Sequence, residues 1–249
     1  MIAILGDTHC NADFVLNAIQ ACVENGVGTI YQLGDFGYFP KDDRGQMFLQ
    51  IINKSLQRNN IKLYWLGGNH DDYNDIEANE WRYANDFCMV RPNIFYIPDG
   101  HSWEVSGVKF VSVGGGTSID KDYRIKGVSY FPQEFVSQRA VDRAIGNETA
   151  DVLLTHECGK QPSDHQWNHR KADLSSDIVT MIDQDDRRIA EVRAQLKPQI
   201  QYHGHHHVGY TKISPEETMI VGMSWDGDPN EAMAIFSPTE MRFWRVKIY

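Results

Sequence analysis

Seven residues stand out in this chain of 249 as candidate metal ligands: Asp7, His9, Asp35, Asn69, His156, His205 and His207. Carboxylate, amide oxygen and imidazole nitrogen suit divalent first-row cations, and seven such donors exceed what one tetrahedral ion takes. The set therefore reads as a centre for two ions. Asp7 and His9 lie two apart, as do His205 and His207, so in a sharp turn each pair can aim both donors into one cavity. Glycines stand before Asp7, Asp35, Asn69 and His205, where the backbone must turn tightly and approach closely.

What must position these donors is a set of short apolar runs, each ending in polar residues. The central run is Leu63-Tyr64-Trp65-Leu66, which reads as a buried strand and stops at Gly67-Gly68-Asn69-His70-Asp71. Ile2 to Leu5 runs into Gly6-Asp7-Thr8-His9, Thr29 to Leu33 into Gly34-Asp35, Asp151 to Leu154 into Thr155-His156, and Gln199 to Tyr202 into His203-Gly204-His205-His206-His207. In open α/β sheets ligands bind beyond the carboxyl ends of the strands. If these strands share one sheet, their tips converge on one rim.

Between the first three strands, helical spacing of Val15, Ile19, Cys22 and Val23, and then of Met47, Ile51, Ile52 and Leu56, predicts two crossover helices and so parallel strands. From Asn93 the rhythm shortens, with strands at 93–98, 102–105 and 108–113 separated by Asp99-Gly100 and Ser106-Gly107, both hairpin signals. A helix opened by Pro132 and a long helix from Ser176 to Leu196 follow, and further strands are expected near 210–213, 218–223, 232–236 and 242–248. Glu157 to Ser175 is polar and reads as a surface loop or lid. No repeat or linker divides the chain, so residues 1–249 are expected to form a single domain.

Four cysteines without a Cys-x-x-Cys pair suit a reducing compartment, and no leader or membrane-length apolar run is seen; the expected location is the cytoplasm, away from membranes. A formal charge of −10 argues against binding an extended nucleic-acid duplex, which needs clustered Lys and Arg.

The blocks Asp7-x-His9, Gly34-Asp35, Gly68-Asn69-His70-Asp71, His156 and Gly204-His205-x-His207, in that order and strand context, resemble the calcineurin-like metallophosphoesterases. The resemblance implies an α/β sandwich of two mixed sheets flanked by helices. It implies one metal on Asp7, His9, Asp35 and His207 and a second on Asp35, Asn69, His156 and His205, with Asp35 bridging. Manganese is the leading ion, with iron, zinc, cobalt, nickel and calcium open. His70, beside Asn69 but outside the ligand set, is the candidate general acid, and Asp71 is the candidate to orient it. Family Ser/Thr protein phosphatases carry Gly where this chain has Cys10, an Asp-Arg-Gly ending that is missing here, and Glu in place of Asp71. The chain thus resembles the small bacterial and phage branch, which hydrolyses phosphodiesters or phosphomonoesters, here expected to be those of a nucleotide. Two alternatives are a nuclease acting on single-stranded or terminal nucleic acid and a non-catalytic scaffold.

Other residues have plainer readings beside sharper ones. Arg124 and Lys121 can grip a phosphate or stay as solvated loop charges, and Arg124 is carried as a substrate contact. His203 and His206 fall outside the Gly-His-x-His spacing and are assigned supporting or solvent-facing positions, strand alternation turning His206 away from its neighbours. Gly114-Gly115-Gly116 lacks the Gly-Lys-Ser/Thr of a phosphate loop and reads as a strand-end turn close to the site. Cys158, His165 and His169 are read as part of the lid rather than as a separate zinc site, and Trp167 as its packing anchor.

Overall fold

In the computed structural model, which describes residues 1–159 and 174–249, the parallel unit forms from β1 (Ile2–Leu5), α1 (Ala12–Glu24), β2 (Thr29–Gln32), α2 (Asp43–Arg58) and β3 (Lys62–Trp65). Asn11 opens α1 by accepting the Phe14 amide at 3.2 Å, and Asp42 opens α2 by accepting the Gly45 amide at 3.0 Å. A short α3 (Tyr73–Ala78), capped by Asp72, and the pair β4 (Cys88–Arg91) and β5 (Ile94–Tyr96) follow. Then come β6 (Ser102–Val105), β7 (Val108–Val113), α4 (Gln138–Ile145), β8 (Val152–Thr155), α5 (Ser176–Leu196) and β9 (Ile200–His203). The chain closes through β10 (Tyr210–Ile213), β11 (Met219–Gly222), β12 (Met233–Ser237) and β13 (Arg242–Arg245).

The strands make two mixed sheets, ordered β13-β12-β1-β2-β3-β5-β4 and β10-β11-β9-β8-β7-β6. Between them Ile2, Ile4, Tyr31 and Leu33 pack with Phe110, Val152, Leu154 and Tyr202 in one apolar layer. A second layer joins the first sheet to α1 and α2 through Val15, Ile19, Leu49 and Ile52, and a third joins the second sheet to α4 and α5 through Val141, Ile189 and Val192. This is the α/β sandwich the motifs imply. The tips converge as expected, but across two sheets rather than along one: β1, β2 and β3 belong to the first, β8 and β9 to the second.

Several local expectations are corrected. Asp99-Gly100 is a crossover between sheets and not a hairpin, because β5 pairs parallel with β3 while β6 pairs with β7 in the other sheet. Asp99 is buried there, accepting from Arg82 Nε at 2.9 Å and from the Gly114 amide at 2.7 Å. The helix expected from Pro132 begins only at Gln138, where Ser137 caps it through the Ala140 amide. The buried face of α2 is Phe48, Leu49, Ile52 and Leu56, leaving Met47 and Ile51 exposed. Most of the expected lid, residues 160–173 with His165, Trp167 and His169, lies outside the described residues. Among the described residues no helix is long and apolar enough to cross a membrane.

Candidate metal centre

The donor side chains gather where the two sheets meet. Asp7, His9, Asp35 and His207 each bring a ligand atom within 4.8 Å of the others', and so do Asp35, His156 and His205. Asn69 joins the second group, its Oδ1 lying 2.9 Å from His156 Nε2. Asp35 belongs to both: Oδ2 is 3.5 Å from His9 Nε2, and Oδ1 is 3.3 Å from His156 Nε2. Although burial alone would raise it, His156 and His70 nearby and the hydrogen bond from His9 hold the Asp35 carboxyl well below the usual range. The donor set of oxygen and imidazole nitrogen, sharing one carboxylate, fits a pair of divalent cations.

Turn geometry explains why the loops can approach so closely. Asp35, His205 and His207 sit at φ of 53°, 64° and 58°, and His9 at 44°, in the left-handed region that ordinary residues avoid. Strand alternation therefore does not govern residues 204–207. His206 is not turned away, since its ring centroid lies 5.0 Å from that of His205. At Gly68, a Cβ would come within 2.0 Å of the Asp35 amide nitrogen, so only glycine lets the β2 and β3 tips meet.

His156 and His9 are each oriented by a partner at the ring nitrogen turned away from the centre, as metal-binding histidines commonly are. His156 Nδ1 faces the Leu33 carbonyl at 2.8 Å, leaving Nε2 for the centre. His9 Nδ1 lies 2.8 Å from Asp226 Oδ1, and Asn11 Nδ2 donates to Asp226 Oδ2 at 2.8 Å. Burial works against a charge on His9, but the Asp226 hydrogen bond and then Asp35 and Asp7 outweigh it and raise its pKa to about 10. His207 stacks on Trp225, rings 5° from parallel and 4.6 Å apart. Burial, with His156 and His206 adding to it, lowers His205 to about 3 against the pull of Glu157. Glu157 is itself buried, 3.5 Å from His205 Nε2 and 2.7 Å from His206 Nε2. Asp226, Trp225 and Glu157 were not singled out by the sequence; only proximity in the fold gives them their place.

The remaining candidates land in different surroundings. His70 lines the cavity of about 250 Å³ in front of Asp35, Asn69, His205 and His207, and its amide donates to Asp35 Oδ1 at 2.7 Å. Burial lowers its pKa against the opposing charge of Asp35. Asp71, expected beside the His70 ring, instead accepts the amides of Gly37, Tyr38 and Gly68 at 2.8 to 2.9 Å and so staples the β2 and β3 loops together. Burial and the Asp35 charge push Asp71 up to about 7. Arg124 donates to the Asn69 carbonyl at 3.0 Å and to Ser118 Oγ, which also accepts from Asn69 Nδ2 at 3.0 Å. Its guanidinium braces Asn69 from behind. His203 is buried, its Nε2 2.7 Å from the Tyr210 hydroxyl.

The family model described as calcineurin-like phosphoesterase matches residues 1–209. Among solved structures, TT1561 of Thermus thermophilus superposes with a TM-score of 0.57 at 9% identity, covering 99% of both chains. A dimetal phosphatase from Danio rerio gives 0.56 at 11% identity, over 100% of this chain and 93% of that one. GAP50, the anchor in the inner membrane complex of Plasmodium, gives 0.51 at 9%, over 100% and 89%. At such identities these neighbours share the fold. No curated protein matches the chain in sequence. The match of the family model over most of the chain shows that it belongs to the calcineurin-like phosphoesterase family.

Proposed function

We propose that this protein is a phosphoesterase with two divalent cations, hydrolysing phosphodiesters or phosphomonoesters of nucleotides, and that manganese is the ion to test first. The observation that carries this reading is Asp35, one carboxylate common to two clusters that otherwise have separate histidines. When bound, two such cations polarise phosphoryl oxygens and lower the pKa of a water between them. Asp7, His9, Asp35 and His207 would hold one, and Asp35, Asn69, His156 and His205 the other.

The chain's own contribution is orientation and proton handling. Asp226 and the Leu33 carbonyl fix which ring nitrogen of His9 and His156 faces the cavity. His70, on the cavity wall, is placed to donate a hydrogen bond to the phosphoryl group or a proton to the leaving oxygen, a role worth ~10²–10⁴ in rate. Arg124 acts through Asn69 and not on substrate.

The test is to strip the protein of metal, reload it with manganese, and compare hydrolysis of bis-p-nitrophenyl phosphate and p-nitrophenyl phosphate, with Asp35→Asn as the blank. Turnover that vanishes in the variant supports the reading. Protein that binds two metals yet turns over neither ester would shift the choice to the scaffold.

A further inference from the structure

A second cavity, of about 440 Å³, adjoins the first on the far side of His70 and is lined by His9, Cys10, Phe39, Asp42, Arg44 and Val128, among others. His70 lines both spaces, and His9 meets it edge to face with ring centroids 5.8 Å apart. A leaving group whose oxygen meets His70 would have this second space beside it. Its size suits a drug-sized or nucleoside-sized molecule and exceeds what a small alcohol needs.

The walls have a definite chemistry. Phe39 is half-buried against the apolar layer under α1 and α2, and Val128, 63% exposed, lines the same cavity, so a flat ring can find apolar surface there. Arg44 lines the same cavity as Cys10 and brings a guanidinium to it, suited to a phosphate. The Asp42 carboxylate is taken up in capping α2 through the Gly45 amide.

Cys10 marks the cavity as built rather than incidental. Its φ is 61°, a conformation that costs a non-glycine residue of order 1 kcal/mol. Here the strained residue turns a side chain into the cavity. Next to it, Gly37 has φ 87°, and a Cβ there would come within 2.4 Å of the Cys10 amide nitrogen, so the cavity floor depends on glycine.

We infer that this cavity receives the leaving group of the reaction, and that the leaving group is a phosphorylated nucleoside, its base between Phe39 and Val128 and its distal phosphate at Arg44. The inference rests on the phosphoesterase reading and names the substrate class for that site. In the hydrolysis, water oxygen bonds to phosphorus and the P–O bond to the nucleoside breaks. One water proton ends on the leaving oxygen, and the other stays with the new monoester or passes to solvent.

Two arms test it. In the first, thymidine 3′-phosphate is esterified with methanol, with the 5′-hydroxyl of thymidine, or with the 5′-hydroxyl of thymidine 3′-phosphate, and kcat/KM is measured on the manganese-loaded protein. The expected order rises by about tenfold at each step, the size of one good interaction of ~1.4 kcal/mol. Arg44→Ala should abolish the second increment; Cys10→Gly and Phe39→Ala should shrink the first. Cys10→Gly also relieves the strained φ, so loss of folding does not confuse the result. In the second arm, iodoacetamide labels the metal-free protein at pH 9, and peptide mass spectrometry reads Cys10 against Cys88 as an internal control. Thymidine 3′-phosphate should slow labelling of Cys10 at least fivefold and leave Cys88 alone. Hydrolysis that ignores leaving-group size, or equal labelling with and without nucleotide, overturns the inference and leaves the phosphoesterase reading standing. Protection of Cys10 with no hydrolysis of any ester keeps the nucleotide cavity and overturns the phosphoesterase reading.

Discussion

The two halves of the candidate centre share Asp35 but differ in almost everything else. On one side, the His9 and His207 side chains are 23% and 36% exposed, Asp7 adds a second carboxylate, and the partners behind the rings are a carboxylate and an indole. On the other, the His156 and His205 side chains are 0% and 9% exposed, the extra donor is the neutral Asn69 amide, and a backbone carbonyl fixes His156. The first half is open to solvent, while the second is shut in, with the buried Glu157 carboxylate beside His205. The open half should therefore exchange its ion readily, and the closed half should hold its ion by shape.

The largest effect should come from the residue the halves share. Asp35→Asn is expected to lose both ions and at least ~10³-fold in turnover, the scale on which activity collapses when a preorganised charge is removed. Elemental analysis alongside kinetics checks it, and a variant retaining one tightly held ion would break the symmetry claimed for Asp35. Next, His70→Ala should retain two ions and slow turnover by ~10²–10⁴, most for poor leaving groups. Undiminished turnover would remove His70 from proton transfer.

A third effect sharpens the contrast between halves. The raised pKa of His9, about 10, means that uptake at the open half must displace a proton, so its apparent affinity should climb with pH throughout the range below 10. At the closed half His205, held near 3, adds no such slope, whereas His156, raised by Asp35 and Asp7 against its burial, adds one. Asp226→Asn replaces the charged acceptor that raises His9 with a neutral amide oxygen. It should cut affinity at the open half by ~10–100-fold and flatten its pH slope, as read by calorimetric titration from pH 6 to 9. An unchanged slope would mean that Asp226 does not hold that proton. The smallest effect is expected from Trp225→Ala, which frees the His207 ring: a few-fold faster loss of one ion to a chelator, with the other unaffected.

Much of this was legible because strand tips and metal ligands leave local signatures. Apolar runs that stop at glycine and then at Asp, Asn or His can be read without knowing which strands pair. Pairing was the illegible part. Asp99-Gly100 has the chemistry of a hairpin turn, yet it carries the chain from one sheet to the other, because β3 offers β5 a parallel edge and Arg82 pairs with a buried Asp99. Likewise α2 presents Phe48 and Leu49 to the core where hydropathy alone favoured Met47 and Ile51, and the docking angle of the helix decides between such faces. Asp71 and Arg124 were found as polar residues near the site, but their targets, loop amides and the Asn69 carbonyl, are backbone groups that no motif spells out. Asp226 reaches His9 across 217 positions of sequence. Nothing in its own neighbourhood announces it.

The left-handed backbone at Cys10 and Asp35 separates two ways of being strained. At Cys10 glycine would adopt the same φ without the penalty of order 1 kcal/mol, so Cys10→Gly should hold or raise the melting temperature of the metal-free protein while removing a wall. Asp35→Gly should lower it, because the buried carboxylate accepts the His70 amide and faces His9 and His156. A record of thermal unfolding, blind to phosphate chemistry, would thus tell a strained wall from a strained keystone.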